Sequence, residues 1–327
     1  MKNSSLVSII TCTYNSGKFL GRIYESLLNQ SDKNFEWIIV DDFSSDTTVE
    51  QLSKLESPGL GGVKIYSMPF NSGGGAAGCI GILKSVGDII SVIDHDDEMA
   101  PEAIHKIRFK FNNIFEKSHI AGILFRSIQS NNKKKISSLK DKEIFKVSYF
   151  MNKETESVDG VWALKGDIAR HYYSLNEASK YVLGSVALLK ISQKYYFEFA
   201  DGEPILIYHR DNNNSQSNDL RISNLMIHNF SQVLNYHDKY YYSHPLKWIR
   251  YSIGLIHFSL IFYGTPFNLI SMVSRRSTKI WLLLLIPVGC VAHYFKKKGK
   301  VVKYKEIDLK DLIDKIQEIK VLKIKNL

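Results

Sequence analysis

Cysteine is scarce in this chain: Cys12, Cys79 and Cys290 are the only three in 327 residues. None falls in a Cys-x-x-Cys pair and their spacing suits no zinc site, so a zinc module is excluded and a reduced, cytosolic setting is the simple inference. Acidic residues are scarce in one place. From Pro245 to Leu327 there are 5 Asp/Glu against 16 Lys/Arg, so that stretch carries +11 of a net +10, and the first 244 residues sum to about −1. A basic chain raises nucleic acid as a partner, but here the cations flank apolar runs, which points to an anionic membrane surface and not to nucleic acid. A long unbroken apolar run is missing too. Tyr251–Val273 lacks charge but carries Gly264 and Pro266 in its middle, and Ile280–Phe295 stops after 16 residues at Lys296-Lys297-Lys298. A crossing helix needs ~20 apolar residues. Interfacial embedding is therefore read ahead of a spanning or re-entrant hairpin, and ahead of soluble core helices. The opening apolar stretch is short and interrupted by polar residues, and reads as a strand rather than a signal peptide.

What is present begins with enough apolar sequence, 44% of residues, for one substantial core and a smaller module. Strand and helix patterns alternate. Leu6–Cys12, Phe35–Val40, Val63–Ser67, Asp88–Ile93 and Ile120–Phe125 are β-branched or apolar runs. Between them, Gly17–Gln30 carries a helical stripe at Phe19, Leu20, Ile23, Leu27 and Leu28. Ala76–Val86 and a segment from Pro101 to about Phe115 also read as helices. Such alternation implies a parallel sheet covered on both faces. Further on, Val158–Tyr208 mixes short strands with a helix near Leu183–Lys194, a long helix is expected over Asp219–Tyr242, and Leu309, Leu312, Ile313, Ile316 and Ile319 form a last helical stripe.

Ligands of parallel sheets bind outside the carboxyl ends of the strands. Three polar clusters fall there: Thr11–Asn15, Asp41-Asp42, and Asp94-His95-Asp96-Asp97. They should meet along one rim. Asp94 and Asp96 alternate at a strand end, so both carboxylates point to one side and can grip a hard cation together with phosphate oxygens. Magnesium or manganese suits such an all-oxygen site. Asp97 is a second ligand or a helix cap, and His95 a spacer, since imidazole suits softer metals.

The stretches VSIITCTYNSGKFLGRIYESLLNQ, WIIVDDFSSDTT, NSGGGAAGCIG and GDIISVIDHDDEMAP resemble the family 2 glycosyltransferases. The resemblance covers about Leu6–Phe125 and continues more weakly to about Arg210. It implies the GT-A fold, a Rossmann-like, mostly parallel sheet flanked by helices. Residues 1–244 form this domain (1–125 the nucleotide-sugar half, 126–244 the acceptor half), followed by a basic, apolar, helical, membrane-associated tail over 245–327. It also implies inverting transfer of a sugar from a nucleoside diphosphate, a UDP-sugar first among them, to a hydroxyl of a glycan or lipid-linked glycan. Thr13 and Tyr14 then line the base pocket, Asp41 or Asp42 holds base or ribose, and Asp94 and Asp96 form the DxD pair that holds Mn2+ or Mg2+, with Asp96 favoured as direct ligand. The implied setting is the cytoplasmic face of the cell membrane and the biosynthesis of a surface polysaccharide.

Two departures stand out. Ala77-Gly78-Cys79 occupies the place of an Ala-Arg-Asn, so an arginine that would hold the donor is missing; backbone N–H groups of Gly73–Gly75 are an alternative phosphate cradle. Where relatives carry an acidic residue after E-x-x-K-[FY]-[VI]-P, this chain reads Glu177-Ala178-Ser179-Lys180-Tyr181-Val182-Leu183-Gly184. Inverting transfer needs a general base. Glu177 is the first substitute and Asp159 the second, with Asp201 and Glu203 behind them. His209 and Arg210 are candidates to approach the diphosphate, and Trp162 either stacks on an acceptor sugar or packs in the core. The rival is a relative that lost its base and binds donor as a scaffold. A nucleotidyltransferase is disfavoured because Thr13-Tyr14-Asn15-Ser16-Gly17 lacks the basic, glycine-rich loop that chemistry uses.

Overall fold

The structure is a computed structural model. It describes residues 5–130, 143–147, 160–173, 185–200, 202–209, 245–263, 265–273, 276–295 and 317–322. The expected alternation is present. Strands β1 (Val7–Thr13), β2 (Phe35–Asp41), β3 (Val63–Ser67) and β4 (Ile89–Val92) are interleaved with helices α1 (Leu20–Leu28), α2 (Thr48–Ser53) and α3 (Gly74–Lys84). The four strands lie side by side in the order β3-β2-β1-β4, all parallel.

Successive strand residues point to opposite faces. Ile9, Trp37 and Ile39 therefore enter one apolar layer with Leu20, Ile23 and Leu27 of α1 and with Ile104, Ile107 and Phe111 of α4 (Ala103–Ile114). Ile10, Ile38 and Val40 enter the other layer, against Ala76, Ala77 and Ile80 of α3. Burial on both faces is why these strands read as continuous apolar runs.

Beyond β4 the sheet stops being purely parallel. After β5 (Glu98–Met99), the long β6 (Ile120–Gln129) runs on; β8 (Gly160–Lys165) lies antiparallel between β4 and β6, and β9 (Tyr196–Ala200) and β10 (Leu206–Tyr208) pair parallel with β6. β5 is antiparallel to β10, and β7 (Ile144–Phe145) to β9. Helices α5 (Gly166–Tyr172) and α6 (Ser185–Lys194) belong to this half. Trp162 settles into core packing, with its ring 5.0 Å from Phe197 and 6.0 Å from Phe145.

In the tail, α7 (Pro245–Tyr263), α8 (Asn268–Met272) and α9 (Arg276–Phe295) share a small core of Trp248, Leu255, Ile256, Leu269, Val273 and Leu282. The last expected helix is corrected at its end. Gln317–Leu322, including Ile319, is a strand, β11, antiparallel to β3. Alternating Ile319 and Val321 fit an open sheet edge as well as Ile316 and Ile319 fit a helix, and β3 supplies that edge. The expected helix over Asp219–Tyr242 lies outside the described residues.

The close seating of α3 rests on Gly81. A Cβ there would come within 2.3 Å of Ile10 Cγ2 and 3.4 Å of Val40 Cγ2. Ile10 is branched and held in a strand, so it cannot swing away. Gly81→Val is expected to destabilise by about 1–3 kcal/mol through overpacking. Gly21→Ala on α1 meets nothing within 4 Å and is expected to be neutral or stabilising by up to about 1 kcal/mol. Denaturant midpoints measure both; equal midpoints for the two variants would contradict this packing account.

Candidate active site

The carboxyl ends of β1, β2 and β4 come together, as the parallel order requires. Register pairing sets Thr13 beside Asp41. Thr13 Oγ1 donates to Asp41 Oδ1 at 2.9 Å, and the Asp42 N–H donates to the Thr13 carbonyl at 2.8 Å. His95 Nδ1 lies 3.2 Å from the Cys12 carbonyl, which brings the Asp94–Asp97 turn against the same strand.

Two of the acids are used inward. Asp41 is fully buried and accepts from Thr13 Oγ1, the Ser44 N–H at 2.9 Å and Ser44 Oγ at 2.5 Å. Asp42 is buried as well and accepts the N–H groups of Ser72 at 2.6 Å and Gly73 at 2.7 Å. Asp41 therefore shapes its own loop, and Asp42 ties the loop before α3 to the end of β2. The Gly73 N–H, expected as part of a phosphate cradle, is taken by Asp42. Ala77, Gly78 and Cys79 are buried under the sheet, so no cation replaces the missing arginine at those positions. Burial also pushes the Cys79 thiol up to about 12.

The loops above these acids are laced together. The Asn15 N–H donates to Ser44 Oγ at 2.9 Å, the Ser45 N–H to Asn15 Oδ1 at 2.9 Å, and the Ser16 N–H to Thr48 Oγ1 at 2.7 Å. Asn15 and Phe43 sit at φ 49° and 65°. Positive φ is strained for phenylalanine and persists where neighbours over-determine it. The result is a preset rim that exposes two aromatic rings, Tyr14 at 49% and Phe43 at 56%. Sequence reading named Tyr14 and missed Phe43, although it stands between Asp42 and Ser44 of the same acidic turn.

The second acid group is graded from surface to core, with Asp94 exposed, Asp96 half-buried and Asp97 buried. Asp94 keeps an exposed face. The protein packed behind its carboxyl, and then the Asp96 charge, raise its pKa, while His95 opposes the rise. Burial, and then the Asp94 charge, push Asp97 up to about 8. Cys12 is pushed up by burial and then by Asp94 and Asp42. Two residues missed or half-read from sequence complete the group. Arg22 of α1 donates through Nη1 to the Asp96 carbonyl at 2.6 Å, with its guanidinium 5.9 Å from the Phe19 ring centre. Its place three residues after Phe19, at the margin of the buried stripe, was the available signal. His209 donates its backbone N–H to Asp97 Oδ1 at 3.2 Å and sets Nε2 3.4 Å from Glu98 Oε2. Among the described residues no group of three or more His, Cys, Asp or Glu can hold a metal alone. Asp94 crowded against Asp96 nevertheless fits a hard cation that takes its remaining oxygens from a ligand. Glu203 is exposed on the loop before β10. Glu177, Asp159, Gly184, Asp201 and Arg210 lie outside the described residues.

Asp97 predicts a pH dependence for the metal-free protein. Its folded pKa of about 8 exceeds the ordinary 3.8, so the folded state binds the proton more tightly. That contribution is complete below about 3.8 and is lost as pH climbs through about 8. Asp97→Asn does not ionise. Its Tm relative to wild type, measured with chelator, is expected to rise between pH 5 and pH 8; a constant offset would contradict the assignment.

Residues 8–171, half of the chain, match the family described as glycosyl transferase family 2. The chain belongs to that family. An uncharacterised glycosyltransferase of Haemophilus influenzae is 33% identical over 139 residues, covering 42% of this chain and 55% of that protein. A Campylobacter jejuni protein named GalNAc(5)-diNAcBac-PP-undecaprenol beta-1,3-glucosyltransferase is 27% identical over 150 residues, 45% of this chain and 48% of its own. The chain thus spans about half the length of these family 2 relatives. Among solved structures, S. aureus TarS 1-349 in complex with UDP-GlcNAc aligns with a TM-score of 0.59 and 13% identity, over 93% of this chain and 95% of that one. This likeness establishes the GT-A fold, with an apolar helix, α9, in the C-terminal region. Other family 2 relatives carry names from surface polysaccharide pathways, such as the putative colanic acid glycosyl transferase WcaA of Escherichia coli.

Proposed function

We propose that the chain is an inverting glycosyltransferase that moves a sugar from a nucleoside diphosphate, a UDP-sugar first, to a hydroxyl of a glycan or lipid-linked glycan at the cytoplasmic face of the membrane. The observation that carries this is the convergence of three strand ends into one rim, with braced loops on one side and exposed Asp94 and half-buried Asp96 on the other. A structural relative solved with UDP-GlcNAc and a sequence relative named for a polyprenyl-linked acceptor support it. Tyr14 offers its exposed ring to the base, and Thr13 braces the pocket floor. Asp41 or Asp42 accepts from base or ribose by exchanging a protein donor for a ligand donor. Asp94 and Asp96, Asp96 directly, would hold Mn2+ or Mg2+ against the diphosphate oxygens, and a bound cation would neutralise the leaving group.

In the transfer itself, the acceptor oxygen forms a bond to the anomeric carbon from the side opposite the diphosphate. The bond to the diphosphate breaks, its electron pair leaves with the phosphate oxygen, and the acceptor proton passes to a carboxylate. We assign that carboxylate to Glu177 first and Asp159 second. A donor-binding scaffold is the second reading, favoured by Leu183-Gly184 where the family resemblance implies an acid. Incubating the full chain with a panel of UDP-sugars, Mn2+ and polyprenyl-diphosphate glycans tests both readings. Transfer with inverted anomeric configuration is expected; donor binding with no transfer to any acceptor would leave the scaffold.

A further inference from the structure

One face of α9 is committed to protein. Leu282 joins the small tail core, and His293 Nδ1 lies 3.1 Å from His257 Nδ1 of α7. Gly289 abuts α7 so closely that a Cβ would fall 2.4 Å from Ile256 Cγ2. The opposite face is exposed among the described residues. Ile280, Leu283, Leu284, Val288 and Val291 are all exposed, from 44% to 65%. At 3.6 residues per turn these five fall within an arc of about 140°. They form one continuous apolar stripe with no charge inside it.

Charge flanks the stripe at both ends. Arg276, exposed, and Lys279 precede it, and the sequence after the helix reads Lys296-Lys297-Lys298-Gly299-Lys300. From Ile280 to Val291 the stripe runs only about 17 Å, against about 30 Å of bilayer hydrocarbon. The whole 20-residue helix is long and apolar enough to cross a bilayer by length and composition, but with its other face held against α7 and cations at both ends of the stripe, α9 is well formed to lie along a surface, apolar side down and cations among the headgroups.

We infer that this face of α9 is the docking surface for an anionic phospholipid bilayer, on which the helix lies in the interface plane. The inference deepens the membrane placement proposed above, yet its test needs no sugar transfer. The experiment is flotation of the full chain with vesicles of phosphatidylcholine alone or with about one-third phosphatidylglycerol. Wild type is expected to float with the anionic vesicles and to bind neutral ones at least about tenfold more weakly. The triple variant Leu284→Glu, Val288→Glu, Val291→Glu is expected to lose at least about tenfold in anionic-vesicle binding with Tm unchanged. Leu284→Glu alone serves if the triple variant does not fold. Undiminished vesicle binding by a folded variant would overturn the inference. So would a wild-type dimer that the substitutions break while vesicle binding stays, since the face would then be covered by a second copy. A carboxy-terminal tag shielded from external protease inside sealed vesicles would overturn the in-plane placement. A chain that floats but transfers no sugar keeps this surface and removes the transfer reading; a chain that transfers sugar without binding vesicles does the reverse.

Discussion

Asp96→Ala is expected to weaken metal-dependent binding of a nucleoside diphosphate by about 100-fold or more, because even supporting partners of a metal site typically contribute about 10–100-fold. The fold should survive. The turn is held through the Asp96 carbonyl, which accepts from Arg22, and not only through the side chain. Removing this carboxylate also removes a charge that raises the pKa of both Asp94 and Asp97, so the Tm without metal should stay level or rise slightly. Calorimetric titration of UDP with and without Mn2+, for wild type and variant, reads the effect directly. A variant that keeps wild-type affinity in Mn2+ would remove Asp96 from the site.

Glu177→Gln is expected to reduce turnover by about 10²–10⁴-fold, the usual contribution of a general base, and to leave donor Kd nearly unchanged. The amide keeps the size of the side chain and loses only its ability to take a proton. Asp159→Asn is the parallel measurement for the second candidate. A large loss in turnover from one variant and not the other assigns the base; full turnover in both excludes both. If wild type binds donor and transfers nothing, Gly184→Glu supplies the acid that the family resemblance implies at that place and is expected to bring transfer with it.

The first half of the fold was legible because its physics is local. Strands buried on both faces must be apolar throughout, as Ile9–Ile10 and Trp37–Val40 are, and acids at their carboxyl ends must then share an edge. What those acids touch was not legible. Asp41 and Asp42 read as ligand-facing, yet the nearby Ser44 takes Asp41 inward and Ser72 and Gly73 take Asp42, and no spacing rule announces the latter two backbone N–H groups from a loop about thirty residues away. His209 reaches Asp97 across more than one hundred residues for the same reason. Strand direction was hidden as well: the apolar run Val161–Leu164 suits a strand at β8 but does not say that it runs antiparallel between β4 and β6. Helix α5 is too short for a stripe to declare itself. In the tail, sequence supplied the apolar length and the charge, but only the packing of α9 on α7 separates its protein face from its exposed one.

On the proposed function, the converged rim binds a nucleoside diphosphate through a divalent cation held by Asp94 and Asp96. The most direct measurement is the affinity of the full chain for UDP in Mn2+ and in chelator. Saturable binding in Mn2+, weakened by about 100-fold or more in chelator, is the predicted result. Equal affinity in the two conditions, or no binding in either, would contradict it.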